Sequence, residues 1–97
     1  MRVLFSPEAQ QEFNDAFAYY ERQQQGLGQG LKHDARQALQ RIRLWPFSCT
    51  VETDGIRRLL LTRFPYKLLY SVENDCLYVI AFAHQHRAPE YWTDRLE

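Results

Sequence analysis

GIRRLLLTRFPYKLLYSVENDCLYVIAFAHQHRAPEYWTDR, residues 55–95, decides the fold of this chain. Ile56 to Arg63, Tyr66 to Glu73 and Cys76 to His84 are rich in Leu, Val, Ile, Tyr and Phe, and each has the length of an ordinary strand. Phe64-Pro65 separates the first two, because proline has no N–H for a sheet ladder. Asn74-Asp75 joins the second and third as a two-residue link able to take positive φ. The stretch therefore predicts an antiparallel meander followed by a short tail.

Side chains on a strand alternate with period two, so Cys76, Tyr78, Ile80 and Phe82 are expected on one face of the third strand, and Leu77, Val79, Ala81 and Ala83 on the other. Both sets are apolar. A sheet in a small domain has one face packed and one solvated, so a doubly apolar central strand implies a second covering element or a partner.

Upstream, Arg2 to Phe5 is a short apolar run that reads as a strand and stops at Ser6-Pro7-Glu8. Serine can accept a hydrogen bond at an N-cap, proline suits the first helical position, and glutamate meets the positive end of the dipole. A full capping box is missing, because Ala9 stands where Glu or Gln would be. Ala9, Phe13, Ala16, Phe17 and Tyr20 then recur at spacings of three and four, leaving Gln10, Gln11, Asn14, Asp15 and Glu21 for water. After the turn-like run Gln23 to Gly30, a second helix carries Leu31, Ala35, Ala38, Leu39 and Ile42 on its inner face, with a first turn able to reach back to Leu27. Trp45-Pro46 ends it. Phe47 to Asp54 reads as a connecting loop.

The length of 97 residues fits one domain, 1–97, with no internal repeat or linker. Such a domain buries roughly 60–65% of its unfolded surface. The 12 basic and 12 acidic residues balance, so no global field draws the molecule onto nucleic acid. No apolar run suits a signal peptide or a membrane span, and the chain is expected in the cytoplasm, off the membrane. Cys49 and Cys76 lack metal-ligand spacing and are expected as free thiols. His84 and His86, alternating on a strand end, are expected to face opposite ways and make a poor two-ligand site; no metal and no cofactor are expected. The fold class is α+β: an N-terminal strand, then a helical hairpin packed on a mainly antiparallel four-stranded sheet, with a short C-terminal helix or tail. The far face of the sheet is expected to stay open, covered at most by Tyr91-Trp92.

Taken together, VLFSPEAQQEF (3–13), GLGQGLKHDARQALQRI (26–42) followed by Trp45-Pro46, RRLLLTRFPYKLLYSV (57–72) and AHQHRAPEYW (83–92) resemble the toxins of the RelE/ParE family of bacterial type II toxin–antitoxin systems, which includes plasmid stabilisation proteins. The resemblance runs over residues 1–97. It implies a growth-inhibiting toxin neutralised by a small antitoxin whose C-terminal segment wraps around it, with DNA reached only through that antitoxin. RelE-like members cleave mRNA on the ribosome; ParE-like members inhibit DNA gyrase.

The family fold does not settle the target, so the residues are weighed singly. Cleavage of RNA by its own 2′-hydroxyl requires cations around the phosphate and a group to move protons. Arg58, Arg63, Lys67 and Arg87 can supply charge, and His84, His86 or Tyr91 can move protons; Lys67, Arg58 and Tyr91 fall near functional positions of the RelE-like nucleases. Leu60 replaces a second lysine of that set, and Gln85 falls where a key arginine is expected. These departures bring the chain closer to ParE-like members. Arg63, Lys67, Arg87, Tyr91 and Trp92 are the expected surface for target or antitoxin. Arg87 has a structural alternative, pairing with Glu90 or Asp94, and Tyr91-Trp92 can equally be a lid on the sheet edge. Three readings follow: a gyrase-directed toxin acting by binding, a ribosome-dependent endoribonuclease, and a non-toxic module that only engages its antitoxin.

Overall fold

A computed structural model of the chain describes residues 1–53, 55–88 and 90–96. The N-terminal run forms β1 (Arg2–Phe5), and Ser6 caps α1 (Pro7–Gln23) by accepting from the Ala9 N–H at 3.0 Å. Helix α2 (Leu27–Leu44) begins directly after Gly26, whose φ of 90° turns the chain. It thus starts at Leu27, the position to which the sequence allows its first turn to reach back. Gly28 sits where the helices touch: a Cβ there would lie 2.7 Å from Glu21 Cγ and 2.9 Å from the Phe17 carbonyl oxygen. That closeness lets the Glu21 carboxylate accept from the Gly28 N–H at 2.8 Å and satisfy an orphan donor of the helix start. Glu21, expected in water, thus staples the hairpin.

The remaining elements are β2 (Thr50–Thr53), β3 (Ile56–Leu60), β4 (Tyr66–Glu73), β5 (Cys76–His84) and a 3₁₀ turn, Thr93–Leu96. The sheet has five strands rather than the four expected, in the order β1-β5-β4-β3-β2. The extra one, β2, lies inside the segment read as a loop, because Thr50–Thr53 is too short and too exposed to show an apolar alternation. It pairs antiparallel with β3, and β1 pairs parallel with β5. Asn74 and Asp75 take φ of 51° and 59° in the β4–β5 hairpin, as two-residue links of this kind do. Strand β3 stops three residues short of the expected Arg63, since the Arg63 and Phe64 N–H groups donate to the buried Asp34 carboxylate on α2 at 2.8 and 2.9 Å.

A bulge corrects the facial pattern read from β5. Leu69 faces Ala81 and Tyr70 faces Val79, so Ile80 has no partner of its own across the ladder. Ile80 and Ala81 both turn away from the helices, and every residue beyond them changes face. Phe82 consequently joins Leu77 and Val79 in the main core beneath the helices, among Leu31, Ile42, Leu68 and Tyr70. There it stacks on Tyr66 at 5.0 Å and meets Phe13 edge-on at 5.3 Å. A smaller cluster of Ile56, Leu69, Ile80, Ala81 and Trp92 occupies the opposite face. Trp92 is only 1% exposed, so the C-terminal segment closes the central part of the face expected to stay open.

Candidate functional site

Strand β1 pairs with Cys76 to Val79, which leaves the edge of β5 away from β4 without a neighbouring strand beyond that point among the described residues. A buried unpaired backbone group is costly, and three residues, Ser6, Glu12 and Arg95, close this gap. Ser6 donates from its N–H to the Val79 carbonyl at 2.9 Å and from Oγ to the Ile80 carbonyl at 3.1 Å. Arg95 Nη1 also donates to the Ile80 carbonyl, at 3.2 Å, and Glu12 Oε1 accepts from the Phe82 N–H at 3.1 Å. The same Glu12 carboxylate takes both arms of the Arg95 guanidinium, at 3.0 and 3.1 Å, and the Tyr91 hydroxyl at 2.8 Å.

This knot joins α1, the open edge of β5 and the C-terminal segment. Partial burial alone would raise the Glu12 pKa, but the hydrogen bonds from Arg95, the Phe82 N–H and Tyr91 outweigh it, and the carboxyl lies below its ordinary value. Burial, then the hydrogen bond to Glu12, push the Tyr91 phenol up. Tyr91 therefore holds its proton, and Arg95 is held charged by Glu12.

Above the knot, Arg87 is exposed and lays its guanidinium over the Tyr91 ring at 4.1 Å, with Arg95 at 4.9 Å from the same ring. Arg87 borders a groove of about 310 Å³ with Asp15, Tyr19, Tyr66 and His84. His84 and His86 do not face opposite ways: residues two apart share a face under strand alternation, and although β5 ends at His84 the rings lie 5.3 Å apart with the His86 N–H donating to His84 Nδ1. Among the described residues no group of three His, Cys, Asp or Glu side chains is placed to share a metal ion.

The expected site residues divide between two surfaces. His84 and Arg87 line the groove beside α1, with Tyr91 below them. Arg58 and Lys67 belong to the opposite face of the sheet: Arg58 faces Leu69, and Lys67 lies between Leu60 and Ala83. Arg58 is paired with Glu52 at 3.4 Å, and Lys67 is 4% exposed with no ion pair to a described residue. Trp92 is on Lys67's side but sealed, and the exposed Arg63 stands on the β3–β4 connection. Pro89, which the sequence reads as stiffening the turn after β5, lies outside the described residues.

Glu12 and Arg95 went unnoticed in the sequence. Glu12 is one acidic residue among many on α1, and Arg95 is three positions from the chain end, 83 residues away from its partner. The structural part expected of Arg87 with Glu90 or Asp94 is taken instead by Arg95 with Glu12. A signal was present nonetheless: β1 is four residues and β5 nine, so something other than a strand had to serve the edge of β5.

Compared with known proteins, residues 3–89 match the family model described as the ParE toxin of type II toxin-antitoxin system, parDE. Among solved structures, a chain of the chromosomal ParDE toxin–antitoxin system from P. aeruginosa superposes with a TM-score of 0.74 at 14% identity, covering 87% of this chain and 95% of that one. At that identity the likeness is one of fold. No curated protein sequence matches.

Proposed function

This chain belongs to the ParE toxin family of type II toxin–antitoxin systems, and we propose that it acts on DNA gyrase by binding rather than on mRNA by cleavage. One observation carries the preference. The groups a nuclease would converge on one phosphate are divided by the sheet, with Arg58 and the buried Lys67 on one side and His84 and Arg87 on the other. A phosphate at either surface meets only part of the set, and the Tyr91 hydroxyl is engaged by Glu12. Binding needs no such convergence. An exposed arginine backed by an aromatic ring, as Arg87 is by Tyr91, is the form that interface hot spots take.

In this reading a cognate antitoxin neutralises the toxin, and Arg63, Lys67, Arg87, Tyr91 and Trp92 divide into exposed contacts and their support. Arg63 and Arg87 make contact, while Tyr91 and Trp92 hold the tail that presents Arg87. The test is induction of the chain alone, with purified protein assayed on gyrase supercoiling and on ribosome-bound mRNA. Growth arrest with DNA-damage signalling, inhibited supercoiling and intact mRNA are expected. Codon-positioned cleavage of mRNA would reverse the proposal, and antitoxin binding without toxicity would reduce the chain to a binding module.

A further inference from the structure

The zero net charge conceals a strong polarity along the chain. Between residues 35 and 63, Arg36, Arg41, Arg43, Arg57, Arg58 and Arg63 stand against only Glu52 and Asp54, an excess of four positive charges balanced by acidic flanks. The same segment carries half-exposed to largely exposed apolar side chains, with Trp45 at 65%, Phe47 at 66%, Val51 at 55% and Leu60 at 47%. The two properties meet in a groove of about 500 Å³ between the end of α2 and the β2–β3 hairpin, walled by Trp45 and Leu60 and flanked by Arg41 and Arg58. Among the described residues, Arg41 is tied to Thr62 Oγ1 at 3.3 Å and Arg58 to Glu52 by one contact at 3.4 Å, which leaves further N–H donors on each without a described partner.

We propose that this groove is the docking site for a segment of a partner polypeptide that carries leucine-like side chains flanked by carboxylates. The inference rests on the reading of the chain as half of a toxin–antitoxin pair and assigns a surface to that pairing. Charge and apolarity select the occupant together: carboxylates answer Arg41 and Arg58, and aliphatic side chains answer Trp45 and Leu60. A nucleic acid strand would satisfy the arginines and use the indole, but it has nothing to offer Leu60. A second copy meeting this face with its own would oppose like charges. Docking runs through side chains rather than by added strand pairing, because β2 is a four-residue edge whose register is broken between Val51 and Thr53.

The test uses the intact chain and the product of the adjacent reading frame, with Kd measured by calorimetry. Arg41→Glu and the double variant Trp45→Ala, Leu60→Ser alter exposed side chains and are expected to melt with the wild type. Each is expected to bind at least about tenfold more weakly. Raising the salt concentration should weaken the wild-type complex more than that of Arg41→Glu. If the wild type binds and both folded variants bind equally well, the groove is wrong while the pairing stands. If the wild type forms no complex at all, the pairing reading fails and this inference with it. Loss of self-association, or of binding to a 20-nucleotide single strand, in variants whose partner affinity is intact would assign the groove to another occupant and overturn the proposal.

Discussion

The two faces of the sheet are built on different terms. The face under α1 and α2 is sealed by large side chains that interlock between the helices and the sheet, among them Phe13, Leu31, Ile42, Tyr66 and Phe82. Its polar groups find partners: Tyr70 donates its hydroxyl to the Pro46 carbonyl at 2.9 Å, and Asp34 accepts two backbone N–H groups. Among the described residues the opposite face has five buried cluster members, and its cover comes from the tail, the buried Trp92 with Tyr91 packed against the cluster. Among the described residues the buried Trp92 Nε1 finds no hydrogen-bond partner, and Lys67, buried on the same face, finds no ion pair. An unmade buried hydrogen bond costs roughly 1–3 kcal/mol, so the tail is seated against a penalty that the helical hairpin does not carry. The comparison teaches that apolar surface alone does not fix how firmly a face is closed; the fate of the polar atoms buried with it does.

Substitutions can break this contrast in order of effect. Phe82→Ala removes a ring held by Phe13 and Tyr66 and is expected to lower stability by about 3–5 kcal/mol, measured by urea unfolding. Trp92→Ala should fall at the lower end, about 3 kcal/mol, because the lost packing is partly offset by removal of the orphan N–H. Trp92→Phe, which keeps a ring and deletes the donor, is then expected within about 1 kcal/mol of the wild type. A cost for Trp92→Phe as large as for Trp92→Ala would show that the indole N–H is satisfied in solution.

The knot at the edge of β5 comes next. Arg95→Ala leaves the Glu12 carboxylate with fewer donors and should cost about 1.5–3 kcal/mol, read from the same unfolding curves. Its pH dependence has a definite sign. The Glu12 pKa is lowered on folding, so its contribution is fully present above the ordinary carboxylate range and is lost as pH falls through the lowered value. Glu12→Gln should therefore flatten the acid limb of the stability profile. The smallest effect on folding belongs to Arg87→Ala, expected within about 0.5 kcal/mol because the side chain is exposed. The same variant is expected to reduce toxicity or antitoxin affinity; full retention of both, or loss of folding, would remove Arg87 from the contact surface.

The residues announced much of this architecture. Ser6-Pro7 placed the start of α1, Asn74-Asp75 placed the tight hairpin, and the apolar runs placed β4 and β5 at their observed bounds. Each signal is local: a cap, a turn or a periodicity depends on residues a few positions apart, so the sequence carries it openly. Arg87 and Tyr91, named from the sequence as neighbours in the tail, lie in contact in the structure, with the guanidinium over the ring.

What the sequence could not decide were relations between distant segments. Nothing within β5 marks Ile80 as the bulged residue; that follows from the register with β4, and it alone transfers Phe82 to the helical face. Strand β2 has no pattern of its own and exists because β3 offers it a ladder. Glu12 and Arg95 become partners only where β1 has run out and the edge of β5 needs donors and acceptors. Sequence by itself determined the helices, the long strands and the family, because these rest on residue identities along the chain. The tertiary structure decided which face each side chain serves and which charges meet, because backbone groups left unpaired by one strand can be satisfied only by whatever the fold brings beside them.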